Sequence, residues 1–300
     1  MAWLLLLALI TACASQPIAE PESDAVAGSA WAAWPMPNSE GLGLPNEQSY
    51  EVLAFDEQEI VHDRVTGLDW QQKIDAASFA FDAAREHCEA LEYAGYGDWR
   101  LPTRIELVSL LDLSRTNPAL ALAAFPSAPG EWYWTASADR ADPSRGWYVY
   151  FYFGYPDVDD RAVENRVRCV RSVGLLAPAP NHYEIQRDWV RDFSTGLLWQ
   201  RAPSEQSFSF AQATEYCARL VVGEESEFRV PTMKELQTLV DERHQGPAID
   251  VAAFPNTPNE RFWSSSAWSG SANLAWYVRF DSGSALYDLA SEPLRVRCVH

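Results

Sequence analysis

Positive charge is scarce in this sequence. Lys and Arg number 23 against 42 Asp and Glu, a formal charge of −19, and no basic patch interrupts the acidic background. Such a surface repels nucleic acid and anionic polymers of the heparin kind, so a nucleic-acid partner is excluded. Histidine is sparse as well. His62, His87, His182, His244 and His300 offer no pair at metal-ligand spacing, which leaves solvated histidines and no cofactor as the expectation. Ser264-Ser265-Ser266 has neither a G-x-S-x-G turn nor an evident base, so no catalytic residue is assigned. Long apolar runs are also missing. The one from Ala2 to Ala12 is too short to cross a bilayer and has the length of a signal peptide.

That run closes on Ile10-Thr11-Ala12-Cys13, which resembles the lipobox of bacterial lipoproteins. The resemblance implies that residues 1–12 are a signal peptide and that Cys13 is acylated. Several acyl chains on one cysteine hold a membrane far better than one, so the expected place is the cell envelope, at the outer membrane. Residues 13–49 are rich in Ala, Pro, Ser, Glu and Gly. Such a stretch buries too little surface to fold alone and reads as a disordered tether, with Trp31 and Trp34 solvated.

What is abundant is self-similarity. Adding 129 to a position between 61 and 171 gives its counterpart between 190 and 300, without a gap and with 43 of the 111 positions identical. Asp63, Thr66, Gly67 and Trp70 return as Asp192, Thr195, Gly196 and Trp199. "RVRCVR" from Arg166 returns as "RVRCVH" from Arg295. The period is too long for a solenoid, so two tandem domains are expected, 50–173 and 183–300, joined by a Pro-containing linker at 174–182.

Cys13 aside, each repeat holds two cysteines. Four cysteines permit three pairings. Only Cys88–Cys169 with Cys217–Cys298 lets each domain close by itself, and export supplies the oxidising compartment. Phe81, Ala84, Cys88 and Leu91 fall at helical spacing, so the first cysteine faces inward from a helix. A second helix should follow "RLPT", where Thr103 and Glu106 form a capping box, repeated by Thr232 and Glu235. The segments Glu131–Ser137, Trp147–Phe153 and Arg166–Arg171 read as strands, the last carrying the second cysteine. The fold class is α+β, each domain with two helices, short antiparallel strands and a helix-to-last-strand disulfide. Trp70, Trp99, Trp134 and Trp147 share their spacing with the second copy and are expected in the core.

The stretches "TGLDWQ", "DWRLPTRIEL", "FP…YWTAS", "WYVYF" and "VRCVR" resemble the C-terminal domain of the Legionella collagen-like adhesin, found in bacterial surface proteins. The resemblance implies a fold related to C-type lectin-like domains and to the formylglycine-generating enzyme. That fold hosts binding and catalysis alike. An oxidase of the latter kind would need a free cysteine pair, and here both cysteines of each copy are spoken for.

Arg100 and Glu106, with Arg229 and Glu235, invite a catalytic reading, but the capping box already employs the glutamates, and Asp63 or Asp98 would hold Arg100. Tyr148, Tyr150 and Tyr152 alternate along one strand and would form a tyrosine row suited to recognition, unless they pack on the second domain. Asp157, Asp159 and Asp160 form an acidic loop, a weak calcium candidate. Trp268, in a Ser/Gly loop with Asn273, could stack on a sugar. The functional expectation is a non-catalytic binding protein that recognises an extracytoplasmic glycan or protein. The alternatives are a structural subunit of an envelope assembly and, behind it, an enzyme.

Overall fold

The structure, a computed structural model, describes residues 31–172 and 182–300. The signal segment, Cys13, the tether up to residue 30 and the linker apart from His182 lie outside the described residues.

The first repeat opens with β1 (Tyr50–Phe55), β2 (Gln58–Asp63) and β3 (Leu68–Gln71), then α1 (Phe81–Glu89) and α2 (Arg104–Ser109). It continues with β4 (Trp132–Ala138), β5 (Arg145–Tyr150), β6 (Tyr155–Asp160) and β7 (Val170–Ser172). The second repeats this order as β8 (Tyr183–Ile185), β9 (Trp189–Asp192), β10 (Leu198–Gln200), α3 (Phe210–Ala218), α4 (Met233–Thr238), β11 (Arg261–Ala267), β12 (Leu274–Arg279) and β13 (Ala285–Leu289). Every strand pairing is antiparallel, in sheets ordered β1-β2-β3-β7, β4-β5-β6, β10-β9-β8 and β11-β12-β13.

Local chemistry explains the turns. Between β2 and β3, the Asp63 carboxylate accepts from the amides of Val65 and Thr66, and Gly67 takes the positive φ of +70° that closes the loop. Asp192 and Gly196 do the same in the second copy. Helix α1 buries Phe81, Ala84 and Cys88, as their spacing requires. Helices α2 and α4 begin with complete capping boxes at Thr103/Glu106 and Thr232/Glu235.

Disulfides join Cys88 to Cys169 and Cys217 to Cys298, each with Cα atoms 5.5 Å apart. The closing segment is less of a strand than expected. In the first copy only Val170–Ser172 pairs as a strand, and in the second single bridges tie Val299 to Trp199 and Arg229. The reason is a glutamine. The Gln71 side chain accepts from the Cys169 amide while its backbone N–H donates to the Cys169 carbonyl; Gln200 and Cys298 repeat this. A side chain thus satisfies the cysteine amide where a ladder bond would run.

Each disulfide sits in its own small core. Trp134, Phe81 and Trp99 surround the first, and Trp263, Ala213 and Phe228 the second. A third and larger core belongs to both copies. Leu107, Val108 and Leu111 share it with Leu236, Leu239 and Val240, where α2 packs against α4. The repeats are therefore two modules fused along a common interior.

The tether expected over 13–49 does not hold for its described part. Ala32, Trp34 and Met36 are buried in that shared core. Trp31 lies 5.2 Å from the His182 ring, with the Arg243 guanidinium 5.5 Å away, and Gln48 donates to the carbonyls of Leu110 and Leu111. Composition argued for solvation, but the apolar residues of this stretch gain burial on a surface that only the paired repeats create.

Candidate functional site

Arg100 and Glu106 hold each other. The guanidinium forks onto both carboxylate oxygens at 2.7 and 2.6 Å, and the same carboxylate accepts from the Thr103 amide at 2.8 Å. Arg229, Glu235 and Thr232 reproduce this at 2.7 Å throughout. The expected partners of Arg100 are corrected: Asp63 is spent on its turn, and Asp98 pairs with Arg171 at 2.8 Å. One glutamate both caps the helix and neutralises a half-buried cation, which is a structural task.

The tyrosine row is reordered by the backbone. β5 stops at Tyr150, so Tyr152 stands in the following turn and not on the strand. Tyr148 is buried beside Trp134, and burial followed by the nearby Asp157 raises its hydroxyl pKa far above the ordinary value. Tyr150 is half-buried among several rings. Trp132 stacks on it almost parallel at 4.5 Å, Tyr152 stacks at 5.9 Å, and Phe153 and Tyr155 meet it edge-on. Trp132 and Tyr152 are 45% and 36% exposed, so the ladder presents its ends to solvent.

Trp268 is not the free ring that its Ser/Gly loop suggests. It is half-buried, 3.8 Å from Tyr287 and 5.1 Å from Phe153 of the first repeat. Its indole therefore helps weld the repeats. Asn273 is exposed, with its carbonyl engaged by the Ala290 amide. The acidic loop is also corrected. Asp157, Asp159 and Asp160 lie on strand β6, where alternation puts Asp160 on the face opposite the other two. Among the described residues no group of three or more His, Cys, Asp or Glu could hold a metal ion.

The corresponding face of the second repeat has different chemistry. Positions 132, 150 and 152 become Arg261, Arg279 and Asp281. With Asn259, Glu260, Tyr277, Pro293 and Leu294 they line a pocket of about 330 Å³. Arg261 pairs with Asp288 at 2.5 Å, Arg279 forks onto Asp281 at 3.0 and 2.5 Å, and Arg295 pairs with Glu260 at 2.7 Å. The hydrogen bond to Asp281 raises the Arg279 pKa. Burial works upward on Asp281, yet Arg279 holds its carboxyl below the usual range. The lining itself sets two arginines, Arg261 and Arg279, against two carboxylates, Glu260 and Asp281, so this pocket has no surplus charge for an anion.

Two features do not stand out in the sequence pattern. Trp132 reads there only as part of a strand, although its exchange for Arg261 marks a surface under different demands in the two copies. Arg168 and Arg297, inside the "RVRCV" repeats, are fully buried. They donate to the carbonyls of residues 71–72 and 200–201 and lie 4.7 Å over the rings of Phe125 and Phe254. Burial lowers both, Arg297 to about 9. Each cation closes its repeat from inside.

One family model, described as Lcl C-terminal domain, matches the chain twice, at residues 59–171 and 188–300. No curated protein matches it.

Proposed function

We propose, on the premise that this chain belongs to the Lcl C-terminal domain family and carries its domain in tandem, that it is a non-catalytic binding protein of the bacterial cell envelope. Its ligand is an extracytoplasmic glycan or protein, met by the ladder Trp132–Tyr150–Tyr152. The observation that carries this reading is the exposed stacked pair. Trp132 is held rigid against Tyr150 and still leaves 45% of its surface in water. Rigid amphipathic rings give contact area at little entropic cost, as at other recognition surfaces. The second repeat spends the same face on paired charges, so the first repeat does the binding.

The C-type lectin-like assignment is part of this proposal. It is supported by the disulfide from a helix to the closing segment in each copy. So is the anchor: Cys13 would carry the lipid. No helix among the described residues is long and apolar enough to cross a membrane, and Cys13→Ser should move the protein from the membrane to the soluble fraction.

The test of binding is a screen of the Cys13→Ser protein against glycan arrays and solubilised envelope proteins, followed by Trp132→Ala and Tyr152→Ala. Both variants should lose at least tenfold in affinity with melting unchanged. Undiminished binding in both would remove this face from the function.

A further inference from the structure

The buried charges between α2 and α4 form a pairing code. Arg104, the first residue of α2, is fully buried and reaches across to α4. Its guanidinium donates to the Gln237 side chain and, at 3.3 Å, to the carbonyls of Gln237 and Val240, which end that helix. It faces the buried Glu242 carboxylate at 3.7 Å, and Glu242 in turn accepts from Ser137 at 3.0 Å. The exchange is reciprocal. Lys234, near the start of α4, is buried and donates to the carbonyls of Ser109 and Leu111 at 3.1 and 2.8 Å, at the end of α2. Each helix thus has its negative end capped by a cation from the other repeat.

The two copies are unlike at these places. By the 129-residue offset, Arg104 corresponds to Met233, Gln237 to Val108 and Glu242 to Leu113. A pair of first repeats in the same geometry would set Arg104 against Val108 and Leu113, so each guanidinium would lose Gln237 and Glu242 and keep only Asp112, the counterpart of Asp241, as a nearby carboxylate. A pair of second repeats would set Glu242 against Met233, so each carboxylate would lose Arg104 and have only the other copy's Lys234, at the helix end, as a cation. Only the unlike pair brings Arg104 to Gln237 and Glu242.

We propose that this seam is a dimer interface written into one chain, and that Arg104 with Glu242 restricts it to unlike repeats. A first repeat accepts a second repeat, its own or that of another copy, and rejects its like. Removing one member of a buried ion pair costs 3–5 kcal/mol, about a hundredfold or more in affinity.

The test keeps the full chain and inserts a protease site between Ala177 and Pro178. After cleavage the halves should co-elute at micromolar concentration. When isotope-labelled and unlabelled cleaved samples are mixed, native mass spectrometry should find exchanged unlike pairs and no like pairs. Separation of the wild-type halves, or like pairs among them, overturns the proposal. In the same background, Arg104→Met and Glu242→Leu should each weaken association about a hundredfold or more. The double variant should recover most of that loss and begin to form like pairs. Should a single variant fail to fold, the double variant still decides: one that stays dissociated or still refuses its like refutes the code.

Discussion

Glu106→Ala tests the assignment of the "RLPTxxEL" motif to structure. The substitution removes three hydrogen bonds, two from Arg100 and one from the Thr103 amide. Losing the capping acceptor costs about 1 kcal/mol. Leaving Arg100 without its carboxylate approaches the 3–5 kcal/mol of a broken buried pair. The lower end applies, because the Arg100 side chain is 16% exposed and keeps Ser172 as an acceptor. A total near ~4 kcal/mol is expected, read as a fall in unfolding free energy in urea at pH 7. Glu235→Ala provides an internal comparison. Arg229 is 29% exposed, so water compensates more of its charge and the loss should be smaller. A cost below about 1 kcal/mol for Glu106→Ala would refute the reasoning, as would a larger cost at Glu235 than at Glu106. Intact stability with abolished ligand binding would return the motif to function.

Replacing Cys88 and Cys169 together by Ala opens a loop 81 residues long, which the chain-entropy relation values at about 4.5 kcal/mol; a loss under about 1 kcal/mol by urea unfolding would contradict it. Burial lowers the Lys234 pKa to about 7, against the pull of Asp63, Asp112 and Glu235. Its folded pKa lies below its unfolded value, so the unfolded chain binds more protons between about pH 7 and 10 and this group makes stability rise with pH across that window. Lys234→Met should flatten that rise relative to wild type in urea titrations at pH 7 and 9; an unchanged slope would mean that Lys234 does not titrate there. Trp268→Ala should destabilise by about 3 kcal/mol, as removal of a large packed aromatic does, while Trp132→Ala should change melting little. The reverse order would restore Trp268 as the free ring.

Much of the fold was legible because it is encoded at short range or in spacing. The capping boxes at Thr103/Glu106 and Thr232/Glu235 are four-residue signals, and Cys88 on the inner face of α1 follows from helical period. The candidate surface was harder to read. Alternation along Trp147–Phe153 placed Tyr148 and Tyr152 together, yet the strand ends at Tyr150, and one tyrosine became core while the other stayed exposed. Neither the stop nor the burial is local, since both depend on the partners of β5 and on Trp134 above it.

The sequence by itself settled that the chain is duplicated, which cysteines close each copy, and that the tryptophans repeated at the common offset lie inside, because repetition at one offset constrains both copies alike. It also settled the excess of negative charge, which needs only counting. The tertiary structure decided what the differences between copies mean. Arg104 against Met233 and Glu242 against Leu113 are single substitutions until α2 meets α4, and only then does each charge have a counterpart. The burial of Ala32, Trp34 and Met36 and the welding of Trp268 to Phe153 arise in the same way. Burial is a property of two surfaces in contact, and the linear order of residues names only one of them at a time.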